Sequence, residues 1–160
     1  MPTLDFESAR PKLEQFLGEL LRAGRFHLKF RIEPGPPEGA EVVAQFDGED
    51  VDLLLAHGAE MLSALEHLAA KFLRLPPEEQ SRISFDCRDY KSLHEEELRL
   101  MAATAAERVA RTSAPFAFNP MNSRERRIIH LALKDNPAVR TESEGMGPAR
   151  KVVIYPQKQK

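Results

Sequence analysis

The chain has 160 residues, 42% of them hydrophobic and 30% charged, and its formal net charge is −2. This composition is ordinary for a soluble globular protein with one sizeable domain or two small ones, and no apolar run approaches the ~20 residues of a membrane span. The single cysteine, Cys87, excludes an internal disulfide and a cysteine-rich zinc site. The N-terminal sequence has no apolar signal-peptide core, so a cytoplasmic location is expected.

The first half of the chain predicts a mixture of helices and strands. Apolar residues recur every three or four positions in the helical segments and at alternate positions in the strand segments. The predicted helices cover residues 4–23, 50–56 and 60–75, and the predicted strands cover residues 26–32, 40–46 and 81–89. The order of elements is therefore helix, strand, strand, helix, helix, strand.

The second half predicts helices followed by a small sheet. The predicted helices cover residues 90–111 and 122–135, separated by TSAPFAFNPMN, and strand-like runs cover residues 138–145 and 149–156. Asn122 is predicted to be the N-cap of the second helix, with Glu125 completing a capping box. The chain is thus predicted to be an α+β protein of two modules divided near residue 90, each with a three-stranded sheet covered on one side by helices.

The net charge hides an asymmetry along the chain. Residues 111–160 contain ten Lys/Arg and four Asp/Glu, a net charge of +6, whereas residues 1–110 contain 13 and 21, a net charge of −8. The two values sum to −2. A basic C-terminal part is compatible with a phosphate-bearing partner, and an acidic N-terminal part is a poor electrostatic match for nucleic acid.

The basic residues of the second half are concentrated on one predicted helix. At about 100° per residue, Arg126, His130 and Lys134 lie along one row of that helix, with Arg127 beside it. Arginine suits phosphate oxygens, and histidine either donates to a phosphate or stacks on a base. Taken alone, this spacing is also typical of a solvated helix face with a partly buried histidine. The far side is predicted to hold Ile128, Ile129 and Ala132, with Leu131 and Leu133 at its edges.

Residues 119–156 resemble the C-terminal domain of the bacterial Jag (KhpB) family. That domain is named for its Arg-x-x-x-His motif, here Arg126 and His130, and the runs ERRIIHLAL, VRTESEG and RKVVI carry the similarity beyond the motif. The resemblance implies that the domain binds single-stranded nucleic acid, with both motif residues on an exposed helix face. On charge alone, the basic surface is expected to extend to Lys134, Arg140, Arg150 and Lys151.

In the same family a KH domain precedes the Arg-x-x-x-His domain, and the runs LSALEHLAAKF and FDCRDYKSLHEEELRLMA resemble the family too. The element order of the first half is that of a type II KH domain. We therefore predict a KH-like domain over residues 1–89, an Arg-x-x-x-His domain with its leading helix over residues 90–156, and a polar tail over residues 157–160. The resemblance also implies a KH-only partner protein and a post-transcriptional role tied to cell elongation and division.

A KH domain grips phosphates through a Gly-x-x-Gly loop between two helices, and here that position reads Ala56, His57, Gly58 and Ala59. Both outer glycines are alanine, and no lysine or arginine stands between them. Either the loop still admits nucleic acid, using the flexibility of Gly58 and a donor from His57, or it is a plain helix–helix turn. The missing cation and the acidic first half favour the turn, in which case the module serves dimerisation or docking.

The sequence offers no recognisable catalytic set. His94 and the glutamates after it lack the spacing of a zinc-binding His-Glu-x-x-His helix, and no phosphate-binding loop or nucleophile elbow is present. No enzyme activity, cofactor, metal or membrane insertion is expected. The leading hypothesis is binding of single-stranded RNA, with single-stranded DNA as a second ligand, centred on Arg126 and His130. A protein-interaction scaffold is the alternative, and self-association into a homo-oligomer stays open.

Overall fold

The computed structural model describes residues 4–158 and divides the chain into two compact units, with the boundary between Lys91 and Ser92. We call residues 4–91 the N-terminal unit and residues 92–158 the C-terminal unit. Residues 1–3 of the first predicted domain and residues 159–160 of the predicted tail lie outside the described residues. Within residues 4–158, none of the helices has the length and apolar character that crossing a membrane requires.

The N-terminal unit packs two helices against a three-stranded sheet. The sheet order is β1-β2-β3, with β2 antiparallel to β1 and parallel to β3. A short 3₁₀ helix precedes β3. In chain order the elements are α1 (Phe6–Ala23), β1 (Leu28–Pro34), β2 (Val42–Gly48), α2 (Val51–Phe72) and β3 (Ile83–Cys87). The mixed α+β class predicted for the chain is confirmed.

One face of this sheet forms the core with the two helices. On β2, the side chains of Val42, Ala44 and Phe46 are buried at alternate positions. This alternation is expected when one face of a sheet packs on a core and the other meets solvent. Leu13 and Leu17 of α1 are fully buried in the same cluster. Cys87 is also buried there as a free thiol, and burial raises its pKa, which fits the structural role predicted for it.

The C-terminal unit packs two helices against a second three-stranded sheet, ordered β4-β6-β5 and antiparallel throughout. A short 3₁₀ helix lies in the turn between β5 and β6. The elements are α3 (Tyr90–Thr112), which starts in the last residues of the N-terminal unit, β4 (Phe116–Ala117), α4 (Ser123–Leu133), β5 (Val139–Glu144) and β6 (Lys151–Pro156). Fully buried Val109, Ile129, Val152 and Ile154 form the centre of this core.

Strand β4 lies in the segment TSAPFAFNPMN, which the sequence indicated only as a break between helices. Phe116 pairs with Ile154 and Ala117 with Val153, and the Phe118 N–H donates to the Val152 carbonyl at 2.9 Å. Two residues are too few to show the apolar alternation that reveals a strand. The pairing with β6 therefore supplies the third strand expected for this sheet, at a position that the sequence pattern did not indicate.

Candidate nucleic-acid interface

Helix α4 begins with the predicted capping box. The Asn122 side chain accepts the Glu125 N–H at 2.9 Å, and the Glu125 carboxylate accepts the Asn122 N–H at 2.9 Å. The other Glu125 oxygen lies 2.7 Å from Nε2 of His94 on α3. These contacts satisfy two N–H groups at the start of the helix and tie its first turn to α3. The prediction of this capping box is confirmed.

Replacing Asn122 by alanine removes the acceptor for the Glu125 N–H. We expect Asn122→Ala to lower the free energy of unfolding of the C-terminal unit by about 1 kcal/mol. Urea unfolding monitored by amide signals of the C-terminal unit measures this change. Asn122→Ser, which restores a side-chain oxygen at the cap, should recover most of the loss, and an equal loss in both variants would contradict the capping role.

Helix α4 packs on the sheet through Ile129 and Leu133, which lie one turn apart and are both buried. Ala132 is exposed, so its predicted place on the buried side is wrong. Ile129 and Leu133 form the buried stripe of α4, since they are the residues of this helix that are buried in the core. Arg126 and His130 therefore lie at the margin of this stripe, half-buried beside the sheet, and not on the face opposite to it.

Two hydroxyl groups of β5 hold the imidazole of His130. Its Nδ1 lies 2.6 Å from Oγ1 of Thr141, and its Nε2 lies 2.8 Å from Oγ of Ser143. Thr141 and Ser143 are two residues apart on a strand, so their side chains point to the same face of the sheet. Burial, and then the positive charge of Arg126, lower the pKa of His130 below 6.5. The ring is therefore neutral at pH 7, with one nitrogen donating and the other accepting.

The lowered pKa of His130 predicts a pH dependence of stability. The unfolded state takes up the His130 proton more readily than the folded state, so stability rises with pH between the two pKa values. The contribution of neutral His130 is complete above its unfolded pKa and is lost as the pH falls through its folded pKa. An NMR titration of the imidazole should give a midpoint below 6.5. Urea unfolding of His130→Gln should lack this part of the pH dependence, and a midpoint above the unfolded value would contradict the prediction.

Three of the predicted basic residues lie around His130 on α4. Arg126 precedes it by one turn, Lys134 follows it by one turn, and Arg127 is on the exposed side of the same helix. Among the described residues, these three side chains form no ion pair. Their charges are thus not neutralised by a carboxylate of the described chain. We call the surface formed by Arg126, Arg127, His130 and Lys134 the α4 surface.

The other three predicted basic residues are not brought together with His130. Side chains alternate between the two faces of the sheet along β5, so Arg140 lies on the face that Thr141 does not share. There it pairs with Glu142 and lies over the Tyr155 ring, 4.5 Å from its centroid. Lys151 lies opposite Glu144 in the β5–β6 register and shares that outer face. Arg150 donates to the Gly145 carbonyl at 3.1 Å and so closes the hairpin turn.

The segment at residues 56–59 interrupts α2 with a sharp change of backbone direction. His57, Gly58 and Ala59 adopt successive left-handed conformations, with φ values of 53°, 68° and 59°. Such conformations cost a non-glycine residue roughly 1–2 kcal/mol. The turn nevertheless forms here with alanine at both outer positions, of which only Ala59 is left-handed. The Ala59 side chain is buried, while Ala56, His57 and Gly58 are exposed. The predicted break between two helices at this position is confirmed.

Three residues near the α4 surface were not predicted from the sequence. Thr141 and Ser143 belong to a polar run, RTESEG, whose composition gave no sign that two hydroxyl groups would face the helix. Alternation with the buried Val139 is the one available signal, since it places both on the inner face. Arg124 is exposed in the first turn of α4 and adds a further cation. In residues 4–158, no group of three or more His, Cys, Asp or Glu is arranged to hold a metal ion.

The residues around His130 lie in a part of the chain that matches a known protein family. A family model described as the R-3-H domain, the domain type named for an arginine and a histidine separated by three residues, matches residues 96–156. We call this range the Arg-x-x-x-His segment. It contains all of α4, β5 and β6, and with them the contacts around His130. The Arg-x-x-x-His domain type predicted from the sequence is supported by the match.

Relatives named RNA-binding protein KhpB match most of the chain. The protein of Clostridium symbiosum is 29% identical over 148 residues, which cover 92% of this chain and 66% of that protein. The protein of Bacillus subtilis is 33% identical over 109 residues, covering 67% and 52%, and that of Lactiplantibacillus plantarum is 31% identical over 109 residues, covering 68% and 34%. The chain thus spans between about one third and two thirds of the length of these relatives. Together with the match of the Arg-x-x-x-His segment, these relatives support the resemblance to the Jag (KhpB) family, and each of them is named an RNA-binding protein.

Proposed function

We propose that the C-terminal unit binds single-stranded RNA through the α4 surface. The observation that carries this proposal is the guanidinium of Arg126, which forms no ion pair within residues 4–158 and lies one turn from an imidazole held in place by β5. A guanidinium without a carboxylate partner is available for bidentate contact with phosphate oxygens. Arg127 and Lys134 add charge on the exposed side of the same helix. The name of the KhpB relatives supports RNA as the ligand.

The distribution of charge supports the same surface. Residues 111–160 carry a net charge of +6 within a chain of net charge −2, so the basic part of the protein coincides with most of the Arg-x-x-x-His segment. Phosphate contacts of this kind supply most of the sequence-independent affinity for nucleic acid. By the family resemblance, we extend the proposal to a cytoplasmic, post-transcriptional role connected with bacterial cell elongation and division.

Binding of a labelled single-stranded RNA across a salt series tests this proposal. For single strands, the logarithm of the affinity falls with the logarithm of salt at a slope of about −0.7 per phosphate contacted. We expect Arg126→Ala/His130→Ala to weaken binding at least tenfold. The slope should become shallower by about 0.7, which corresponds to the loss of one phosphate contact. Unchanged affinity and slope in the double variant would overturn the role of the α4 surface. A single-stranded DNA of the same sequence distinguishes the two ligands.

We propose that the N-terminal unit is a KH-like module that serves docking and not RNA binding. Its elements follow the order helix, strand, strand, helix, helix, strand once α2 is divided at residues 56–59. Its loop offers His57 alone as a titratable group, and residues 1–110 carry a net charge of −8. On α2, Leu68 and Phe72 lie one turn apart and are about half exposed, and Phe72 stacks on Phe16 of α1. Apolar side chains grouped in this way are typical of protein contacts.

Replacing both outer alanines of the loop by glycine tests whether the N-terminal unit serves docking or RNA binding. Under the docking proposal, Ala56→Gly/Ala59→Gly should leave RNA affinity within about twofold, because the loop still lacks a cation. Leu68→Glu should weaken association with a second copy of the chain or with a KH-only protein, measured by analytical ultracentrifugation. A marked gain in RNA affinity on restoring the glycines would show that the KH groove is intact and would overturn the docking proposal.

A further inference from the structure

The two ring nitrogens of His130 are already engaged. Hydrogen bonds to imidazole nitrogens lie in the plane of the ring, and here Thr141 and Ser143 occupy both positions, at 2.6 and 2.8 Å. A phosphate that accepts a hydrogen bond from this ring would first have to displace one hydroxyl. The flat face of the ring is bound by neither hydroxyl. The half-buried position at the margin of the helix leaves part of the residue accessible to a ligand.

The residues of the α4 surface differ in charge, so they are suited to different parts of a nucleotide. Burial and the nearby Arg126 keep His130 uncharged at neutral pH, so it adds no positive charge for phosphate. The positive charge comes from Arg126, Arg127 and Lys134, which surround it on the same helix. An uncharged aromatic ring between cations is the arrangement that single-strand binding proteins use, with bases stacking on rings and the backbone following the charges.

We propose that His130 is a stacking platform for one nucleobase, and that Thr141 and Ser143 are positioning residues that fix the plane of its ring. The inference rests on the proposed RNA binding by the α4 surface and specifies which part of the nucleotide each residue meets. Hydrogen bonds at both ring nitrogens restrict rotation about the Cα–Cβ and Cβ–Cγ bonds of His130. A ring held in this way presents one orientation to a base and loses little freedom when the base binds.

Oligonucleotides with and without bases test the stacking proposal. The probes are a fluorescein-labelled single-stranded RNA and a strand of equal length with successive abasic nucleotides, which retains the phosphates. Wild type should bind the abasic strand about tenfold more weakly, as expected for loss of one stacked base. His130→Gln keeps hydrogen-bonding groups but has no ring, so it should bind the intact RNA about tenfold more weakly and the abasic strand equally well. His130→Phe, which keeps a ring face but not the two hydrogen bonds, should recover part of the affinity for intact RNA that His130→Gln loses.

The matched control is Arg126→Ala, which removes a phosphate contact from the same helix. It should weaken binding of both strands by similar factors and make the salt slope shallower, whereas His130→Gln should leave the slope unchanged. Thr141→Val/Ser143→Ala should weaken binding of intact RNA alone, and the imidazole C–H signals of His130 should lose the defined NOE contacts to β5 that a fixed ring gives. Amide NMR spectra verify that each variant is folded.

The outcomes separate this inference from the proposal on which it rests. If wild type binds neither strand, the proposed RNA-binding function fails. If wild type binds RNA, but His130→Gln weakens both strands equally and flattens the salt slope, His130 contacts phosphate and the stacking platform is wrong. If Thr141→Val/Ser143→Ala binds like wild type, with unchanged NOE contacts between the imidazole and β5, the two hydroxyl groups have no positioning role.

Discussion

Ile129→Ala is expected to lower the free energy of unfolding of the C-terminal unit by about 3 kcal/mol. Isoleucine-to-alanine changes in cores cost about 2–5 kcal/mol, because transfer energy is lost and a cavity remains. The Ile129 side chain is 0% exposed and lies at the centre of the stripe through which α4 meets the sheet. The change removes the contact that holds the α4 surface against β5. Denaturant unfolding monitored by amide signals of residues in β5 and β6 measures the loss.

Leu131→Ala is the matched control for this prediction. Leu131 lies two residues further along the same helix and is 58% exposed, so its replacement should change stability by less than about 0.5 kcal/mol. Alanine is also the better helix former, which offsets part of any lost contact. Similar losses in the two variants would mean that the packing of α4 differs from the structure. RNA binding by Leu131→Ala should equal that of wild type, because the residue lies outside the α4 surface.

Local features of this chain could be predicted from the sequence. The capping box of Asn122 and Glu125 is determined by residues three positions apart, so its pattern is visible without any tertiary information. The same is true of the interruption in α2, where Gly58 stands between two apolar helical runs. In both cases the deciding interactions lie within one or two turns of chain.

The packing direction of α4 could not be predicted in the same way. Ile128, Ile129, Leu131, Ala132 and Leu133 are apolar over a wide arc of the helix, so periodicity alone does not select the buried part. The sheet makes that selection, and it buries Ile129 and Leu133 while leaving Leu131 and Ala132 exposed. This choice moves His130 from an open face to the margin of the sheet.

The hydrogen-bond partners of His130 could not be predicted from the sequence for a related reason. Thr141 and Ser143 are eleven and thirteen residues away in sequence, and polar strand residues ordinarily face solvent. A hydroxyl group can face a core only where a partner satisfies it, and here the imidazole fills that role. The same alternation carries Arg140 to the outer face of the sheet, so charge alone was insufficient to decide which basic residues act together.

Arg126→Glu is expected to weaken RNA binding much more than Arg140→Glu. A hydrogen bond to a charged group contributes about 1.5–3 kcal/mol, which corresponds to roughly a 10- to 150-fold change in affinity. Arg126 forms no ion pair within residues 4–158, so its charge is available to a phosphate. Arg140 already pairs with Glu142 and lies over Tyr155 on the opposite sheet face. We therefore expect at least a tenfold loss for Arg126→Glu and less than about a threefold loss for Arg140→Glu.

The two substitutions change the net charge of the protein by the same amount, so any difference between them reports position and not overall charge. The slope of affinity against salt should become shallower by about 0.7 in Arg126→Glu and remain unchanged in Arg140→Glu. Labelled single-stranded RNA and fluorescence anisotropy measure both quantities, and amide NMR spectra verify the fold of each variant. Equal losses would mean that RNA responds to the general field of the C-terminal unit. A larger loss in Arg140→Glu would move the binding surface to the outer face of the sheet, where Arg140 and Lys151 lie, and away from α4.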